Sequence, residues 1–312
     1  MLDVWSESSD PNYTPIVNVE LGTSTGRRLA LAKWIADAKN PLTARVAVNH
    51  IWMRHFGTPL VPSVANFGLA GKKPTHPELL DWLAVEFTQS KWSMKHLHRL
   101  IVTSQAYRLS SRNADGPSKT ADPDNRLYWR ANPKRMDAEV VRDSLLAVAG
   151  QLDTTLGGPI IDEKQGLTSK RRSLYFRFNA EYKMSFLDQF DAASPTECYD
   201  RRESVIPQQS LALQNSTLAL SVARDLAKQL GKSKDFVGDA FTRILGRTPT
   251  ADERKRCEEF LAEQAVLFAK PEKLTPFPAG PAVAAPSSDP VQRAREDLIH
   301  VLLNHNDFVT IR

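Results

Sequence analysis

Histidine side chains are the most versatile acid–base groups and metal ligands in this sequence, and their spacing sets what they can do together. Residues five apart on an α-helix point about 140° apart, and residues two apart point about 200° apart, so such pairs do not share a face. None of these histidine pairs therefore has the i, i+4 spacing with which two histidines of one helix bind zinc. Two roles for His55 stay open. It could belong to a long-range metal site with His76 and an acid such as Asp81, or it could be a structural residue at a helix C-terminus, where its charge complements the helix dipole. The pairs with these spacings are His50/His55, His300/His305 and His96/His98.

Two carboxylates, Glu139 and Asp143, lie four residues apart in a helical pattern and therefore share a face. Neighbouring carboxyl groups in different environments can divide the roles of general acid and general base. Helix surfaces also carry such pairs without any catalytic role, and Arg142 lies beside both as a neutralising partner. Both interpretations stay open at this point.

The segment 186–215 is the most unusual stretch, because many polar side chains lie among several helix breakers. Such density in an irregular segment is typical of functional loops. Aromatic residues just upstream, at 175–182, could stack on sugars. The alternative is that they fill the core under the loop while arginines bind its backbone. The candidate catalytic residues of the chain are Asp191, Arg202, Gln208, His55 and His76.

Motifs for cofactor chemistry are missing from the sequence. It contains neither a Walker A loop nor a G-x-G-x-x-G fingerprint. Cys198 and Cys257 form no C-x-x-C pattern, and no C-x-x-C-H is present to attach a c-type haem. We therefore expect no cofactor and no metal within this chain, and the two cysteines are either one disulfide or two independent thiols.

Composition and charge exclude several classes of protein. The chain has 312 residues, of which 41% are hydrophobic and 25% charged, so it is not wholly disordered. No stretch approaches the roughly 18 consecutive apolar residues of a membrane-spanning helix. Subtracting 36 acidic from 41 basic residues gives a net charge of +5. Arginines are more frequent between Arg99 and Arg202, but they do not form one basic element, so we do not expect a nucleic-acid interface. An anionic polysaccharide is an alternative partner for these arginines.

Apolar residues at helical spacing dominate the pattern from Arg27 onward. The sequences Thr75–Glu78 and Thr250–Glu253 fit capping boxes at helix N-termini. One helix is predicted from about Gln208 to Leu230. The alternation of residue types over Ser173–Phe178 suggests one or two short strands.

The predicted fold is mainly α: a multi-helix globular domain with a small β-containing irregular middle segment. Residues 1–26 form an irregular N-terminal segment, and residues 27–312 form a single mainly helical domain. Within it, residues 270–288 are rich in proline and alanine, which is typical of a flexible insertion.

Several ordered motifs point to a family. Together they resemble the uncharacterised C-terminal domain, a domain of unknown function, of large planctomycete and verrucomicrobial surface-type proteins. The resemblance covers roughly Gly26 to the C-terminus. It implies an exported multidomain bacterial parent with an upstream cytochrome-c-like domain, which would carry the haem, and a second uncharacterised domain. The motifs include His-Phe-Gly (55–57), His-Pro-Glu-Leu-Leu-Asp-Trp-Leu (76–83), His-Arg-Leu-Ile-Val-Thr-Ser (98–104) and Pro-Gln-Gln-Ser-Leu-Ala-Leu-Gln-Asn-Ser (207–216).

Two functions are compatible with these observations. The first is an accessory or interaction domain of an extracytoplasmic protein, linked to electron transfer or polysaccharide use, in the periplasm or at the cell surface. The second is a hydrolase of an anionic glycan, with its site around residues 188–215. The N-terminal residues lack the basic and apolar regions of a signal peptide, so we expect any export signal to lie outside this sequence.

Overall fold

A computed structural model describes residues 27–111, 116–196, 201, 203–270, 272, 274 and 285–311. These residues are mainly helical, which confirms the predicted fold class. Their strands, β1 (Lys134–Arg135) and β2 (Thr310–Ile311), form one two-stranded sheet. None of the described helices has the length and apolar content needed to cross a membrane. The helices are α1 (Arg27–Ala36), α2 (Thr43–Phe56), α3 (Pro77–Gln89), α4 (Met94–Thr103), α5 (Pro117–Ala121), α6 (Ala138–Val148), α7 (Ser185–Gln189), α8 (Pro207–Asn215), α9 (Thr217–Leu230), α10 (Phe236–Leu245), α11 (Ala251–Phe268) and α12 (Pro290–Leu303).

The chain divides into two compact units, and the boundary falls between Lys134 and Arg135. In the first unit, the apolar faces of α2, α3 and α4 form a core that includes Val48, Leu83 and Leu97. Buried Asn49 ties the following loop to α2, since its side chain donates to the carbonyl of Val61 (3.1 Å) and accepts from the Val61 amide (2.8 Å).

The second unit, residues 135–311, has its own core. It is built from the apolar faces of α6, α9, α10 and α12, with side chains of α7 and α8 packed against them. Leu145, Ala223 and Ile299 are examples of its fully buried residues. Whether the two units are one domain, as the sequence predicts for residues 27–312, stays a prediction.

Local sequence signals set several helix ends, with one correction. Thr250 and Glu253 form the predicted capping box at the start of α11. The box predicted at Thr75 is wrong, because α3 begins at Pro77 with His76 as its N-cap residue. The Thr75 hydroxyl instead donates to the carbonyl of Leu60 at 3.3 Å, which takes it away from the helix amides.

Two further predictions for the middle of the chain need correction. The single helix expected over 208–230 is interrupted at Ser216, whose extended backbone ends α8 and whose hydroxyl caps α9. The strand expected over 173–178 is a 3-10 turn, Ser173–Tyr175, because the chain there is held by hydrogen bonds to α6. Its β character is limited to isolated bridges such as Ile161 with Phe176.

Some predicted features lie outside the described residues. These are the irregular segment 1–26, most of the insertion at 270–288, Arg202 and Cys198. Cys257 is a half-buried free thiol on α11.

Candidate functional site

Asp191 is the centre of a hydrogen-bonded cluster in the second unit. It follows α7 and has a left-handed backbone (φ 57°), a conformation that aspartate tolerates better than most residues. Its carboxylate accepts from the amide of Ser204 (2.7 Å) and from the Ser204 hydroxyl (2.8 Å). Asp191 therefore anchors the loop that leads into α8.

Gln209 connects this carboxylate to a guanidinium group. Its side chain is 3% exposed, and its amide nitrogen donates to the carbonyl of Ser204 (3.1 Å) and to Asp191 Oδ2 (3.4 Å). Its side-chain oxygen accepts from Arg135 at 2.7 Å. Arg135 also donates to the side-chain oxygen of Asn306 (3.2 Å), so two neutral amides hold the guanidinium.

A second arginine lies on the other side of the cluster. Arg201 forms a two-point ion pair with Glu139, at 2.6 and 3.2 Å. The cavity between this pair and Gln209 has a volume of about 20 Å³, which is room for little more than one water molecule. The ion pair closes this side of the cluster, so a ligand would have to approach Arg135 from elsewhere.

A larger cavity of about 150 Å³ is also lined by Arg135. Its apolar wall includes Val205 and Ile206, which are 79% and 40% exposed. Arg135 is the one charged residue among the described residues that line it. The complete lining is Arg135, Phe190, Val205, Ile206, Gln209, Ser210, Leu213, Asn304, Asn306 and Val309.

Comparison with known proteins places the chain in a family. A family model, PSD1, described as a protein of unknown function (DUF1553), matches residues 27–261, which are 235 of the 312 residues. The chain belongs to the PSD1 family. No curated protein and no solved structure matches it significantly. The match confirms the resemblance to an uncharacterised domain family. It ends at residue 261, so it does not include Asn304 and Asn306, which line the larger cavity.

The candidate catalytic residues predicted from the sequence are divided between the two units of the PSD1 chain. Asp191 belongs to the cluster, whereas Gln208 is exposed and its neighbour Gln209 makes the contact. Arg202 lies outside the described residues. His55 and His76 belong to the first unit.

Within the first unit, the two candidate histidines have different partners. His55 Nε2 lies 2.8 Å from His98 Nδ1, and His76 Nδ1 lies 3.0 Å from the hydroxyl of Thr75. Burial, aided by the nearby charges of His98 and Lys134, lowers the pKa of His55 below its ordinary value. In the described parts of the PSD1 chain, no three His, Cys, Asp or Glu side chains are placed to hold a metal ion.

The carboxylate pair on α6 is divided between two structural contacts. Glu139 pairs with Arg201, while Asp143 accepts from the backbone amide (2.9 Å) and the hydroxyl (2.6 Å) of Ser173. Both carboxylates therefore hold chain segments against α6, which supports the structural interpretation over the acid–base one.

One cluster of titratable groups escaped the sequence analysis. A cavity of about 150 Å³ in the second unit is lined by Arg224 of α9 and by Glu296, Asp297 and His300 of α12. Burial raises the pKa values of Glu296 and Asp297 and lowers the pKa of His300. The i, i+4 spacing of Glu296 and His300, which places both side chains on one face of α12, is the signal that could have found it.

A short motif near the N-terminus also escaped it. Gly22–Gly26 (Gly-Thr-Ser-Thr-Gly) matches the G-x-S-x-G pattern of hydrolase nucleophiles, but it lies outside the described residues. The usual context of that pattern is a strand-to-helix turn in an α/β sheet. The only sheet in the described part of the PSD1 chain is the two-stranded one, so we do not take the match as evidence for a nucleophilic serine.

Proposed function

We propose that the second unit is the binding part of an accessory or interaction domain, and that the larger cavity beside Arg135 takes an anionic unit of a polysaccharide. The observation that carries this proposal is the environment of Arg135. Its guanidinium is held by the amide oxygens of Gln209 and Asn306, and it is the one charged group lining that cavity among the described residues.

Neutral partners fix the guanidinium without cancelling its charge. An arginine has five N–H donors in a planar fork, so the two bonds to Gln209 and Asn306 leave donors for a ligand. Carboxylate and sulfate oxygens match this fork, and such charge-assisted hydrogen bonds are about twice as strong as neutral ones. A ligand with an anionic group therefore gains more here than a neutral one.

The rest of the cavity suits a sugar. Val205, Ile206 and Leu213 supply an apolar wall for the face of a pyranose ring, while Ser210 and Asn304 supply hydroxyl and amide groups for its polar edge. At about 150 Å³ the cavity is smaller than the roughly 300–1,000 Å³ of drug-sized ligand sites. It therefore fits one charged substituent or ring of a longer chain that continues across the surface.

The binding function is favoured over the hydrolase alternative by the state of the nearby carboxylates. A glycosidase acid or base must exchange a proton with the substrate. Asp191 is engaged by Ser204 and Gln209, and Glu139 is engaged by Arg201. These contacts occupy both carboxylates and support anchoring of the loop as their role.

The test is binding of the full chain to heparin and to neutral dextran at low salt, measured by calorimetry. We expect heparin alone to bind, and Arg135→Gln to weaken binding by about tenfold. Val205→Glu, at an exposed position, should weaken it as well, because it places a like charge in the cavity. The matched control is Arg256→Gln, which removes the same charge from an exposed position on α11 and should bind as the wild type does.

Equal losses in Arg135→Gln and Arg256→Gln would contradict the proposal, since they would indicate attraction by net charge alone. Equal binding of double-stranded DNA would contradict the assignment to polysaccharide, because heparin is a general polyanion. Release of new reducing ends during incubation would support the hydrolase alternative instead.

The cellular context belongs to the same proposal. The resemblance to surface-type proteins supports a periplasmic or cell-surface location in a bacterium. It also supports a parent protein whose upstream cytochrome-c-like and second uncharacterised domains link this domain to electron transfer. A C-x-x-C-H motif in the sequence preceding this domain, together with recovery of the native protein from the periplasmic or surface fraction, would support this context, and recovery from the cytosol would contradict it.

A further inference from the structure

Two imidazole rings from different helices of the first unit face one another. His55 lies in the last turn of α2 and His98 lies in α4. His55 Nε2 and His98 Nδ1 are 2.8 Å apart, and the ring planes meet at 68°. A hydrogen bond between two imidazoles needs one N–H and one lone pair, so at least one of the two rings is neutral.

We propose that His55 and His98 form a two-nitrogen site for a borderline divalent transition-metal ion of the Zn²⁺ class, with water in the remaining positions. Imidazole nitrogens bind Zn²⁺ at about 2.0–2.1 Å, and tetrahedral geometry then places two of them roughly 3.3 Å apart. The observed nitrogen pair would have to open by only about 0.5 Å to take the ion. The proposal differs from the expectation, based on the sequence, that the chain holds no metal. The histidine sets that the sequence suggested were pairs on a single helix and a long-range set of His55 with His76, and neither contains His55 together with His98.

The surroundings of the pair keep it available for an ion. His55 is partly buried, and its Nε2 atom faces His98 Nδ1 across 2.8 Å, so both nitrogens already point to the position that the ion would take. His98 is exposed, so water can complete the coordination. The Tyr107 ring packs edge-on against His55, with centroids 5.6 Å apart, and holds that ring in place.

Two electrostatic effects on a bound cation oppose each other at this site. The site lies at the C-terminal end of α2, where the negative end of the helix dipole attracts a cation. Lys134, whose ammonium group donates to the Arg54 carbonyl at 3.4 Å, adds an opposing positive charge. No third His, Cys, Asp or Glu among the described residues joins the pair, so we expect modest affinity that falls as the pH is lowered.

The experiment is a calorimetric titration of the full chain with ZnCl₂ at pH 7, where the ion stays in solution, with thermal denaturation in the presence and absence of the ion as a second readout. We expect one ion to bind to the wild type and to raise its Tm. His98→Gln changes an exposed side chain and should keep the fold, yet it should weaken binding by at least about tenfold. His55→Gln should weaken it equally. The matched control is His96→Gln on the same helix, whose imidazole contacts Glu86 at 3.2 Å, and it should bind as the wild type does.

Three results would overturn the proposal. They are no heat and no Tm change at millimolar ZnCl₂, wild-type binding by His98→Gln, or an equal loss of binding in His96→Gln. If His55→Gln does not fold, His98→Gln alone decides. The titration does not depend on the polysaccharide site, because that site is tested with a different ligand and with variants of the second unit.

Discussion

Arg135 donates a hydrogen bond of 2.7 Å to the side-chain oxygen of Gln209, which is 74 residues away in the sequence. The same amide group of Gln209 donates, through its nitrogen, to Ser204 and Asp191. Gln209 therefore presents an acceptor to a cation and a donor to an anion from one buried position. A neutral amide can do both at once, whereas an ionised carboxylate can only accept.

Replacing Gln209 with glutamate should disturb both functions of the amide. A carboxylate there would neutralise Arg135 and would face the Ser204 carbonyl with an acceptor in place of a donor. We expect a loss of about 1–3 kcal/mol in the free energy of unfolding, and, if the proposed function holds, heparin affinity weakened about tenfold. Urea denaturation and calorimetry measure the two effects.

Gln208→Glu is the control for this substitution. It makes the same charge change at the adjacent, exposed position of α8, so it should alter stability by no more than about 0.5 kcal/mol. Equal effects of the two variants would show that the network around Gln209 is not what orients Arg135.

Arg142 is expected to be the most stability-critical charged residue of the second unit. Its guanidinium is fully buried and donates to the carbonyl oxygens of Gly166 (2.6 Å), Arg171 (2.9 Å) and Ser169. Arg142→Met should lower the free energy of unfolding by about 3–5 kcal/mol, because buried carbonyls lose their donors and Asp143, which keeps its bonds to Ser173, loses its ion-pair partner. Chemical denaturation of Arg177→Met, which removes an exposed arginine, provides the comparison, and similar losses in the two variants would refute the expectation.

The contribution of Glu253 to stability should depend on pH. Its carboxylate accepts from both terminal nitrogens of Arg247 (2.8 and 2.7 Å) and from the Thr250 amide, which lowers its pKa from 4.5 to about 2. A carboxylate whose pKa is lower in the folded state stabilises the protein above its unfolded pKa. That stabilisation is lost as the pH falls from about 4.5 towards about 2.

The measurement is the Tm of the wild type and of Glu253→Gln between pH 2 and pH 7. The difference should correspond to about 1 kcal/mol above pH 5, since both side chains are about one-third exposed and solvent screens the pair, and it should vanish near pH 2. Glu259→Gln, from an exposed pair with Lys255 at 3.9 Å, should show a smaller difference with no such trend. A pH-independent difference for Glu253→Gln would contradict the prediction.

The features that the sequence alone determined are those that depend on neighbours within about one helical turn. The capping box of Thr250 and Glu253 joins residues three apart, and Gly57 ends α2 with a left-handed backbone that glycine adopts without strain. Ser93 likewise caps α4, because its side chain accepts from the His96 amide three residues on. Such contacts need no partner from elsewhere in the chain, so the local sequence is sufficient to predict them.

The site was decided by contacts between distant segments. The break at Ser216 and the start of α8 at Pro207 turn Gln209, rather than Gln208, toward Asp191. A hydrophobic pattern predicts which face of a helix is buried, but not which polar group of another segment meets it. The contact of Arg135 with Gln209, or of His55 with His98, follows from how the helices and strands within each unit pack, and only the tertiary structure contains that information.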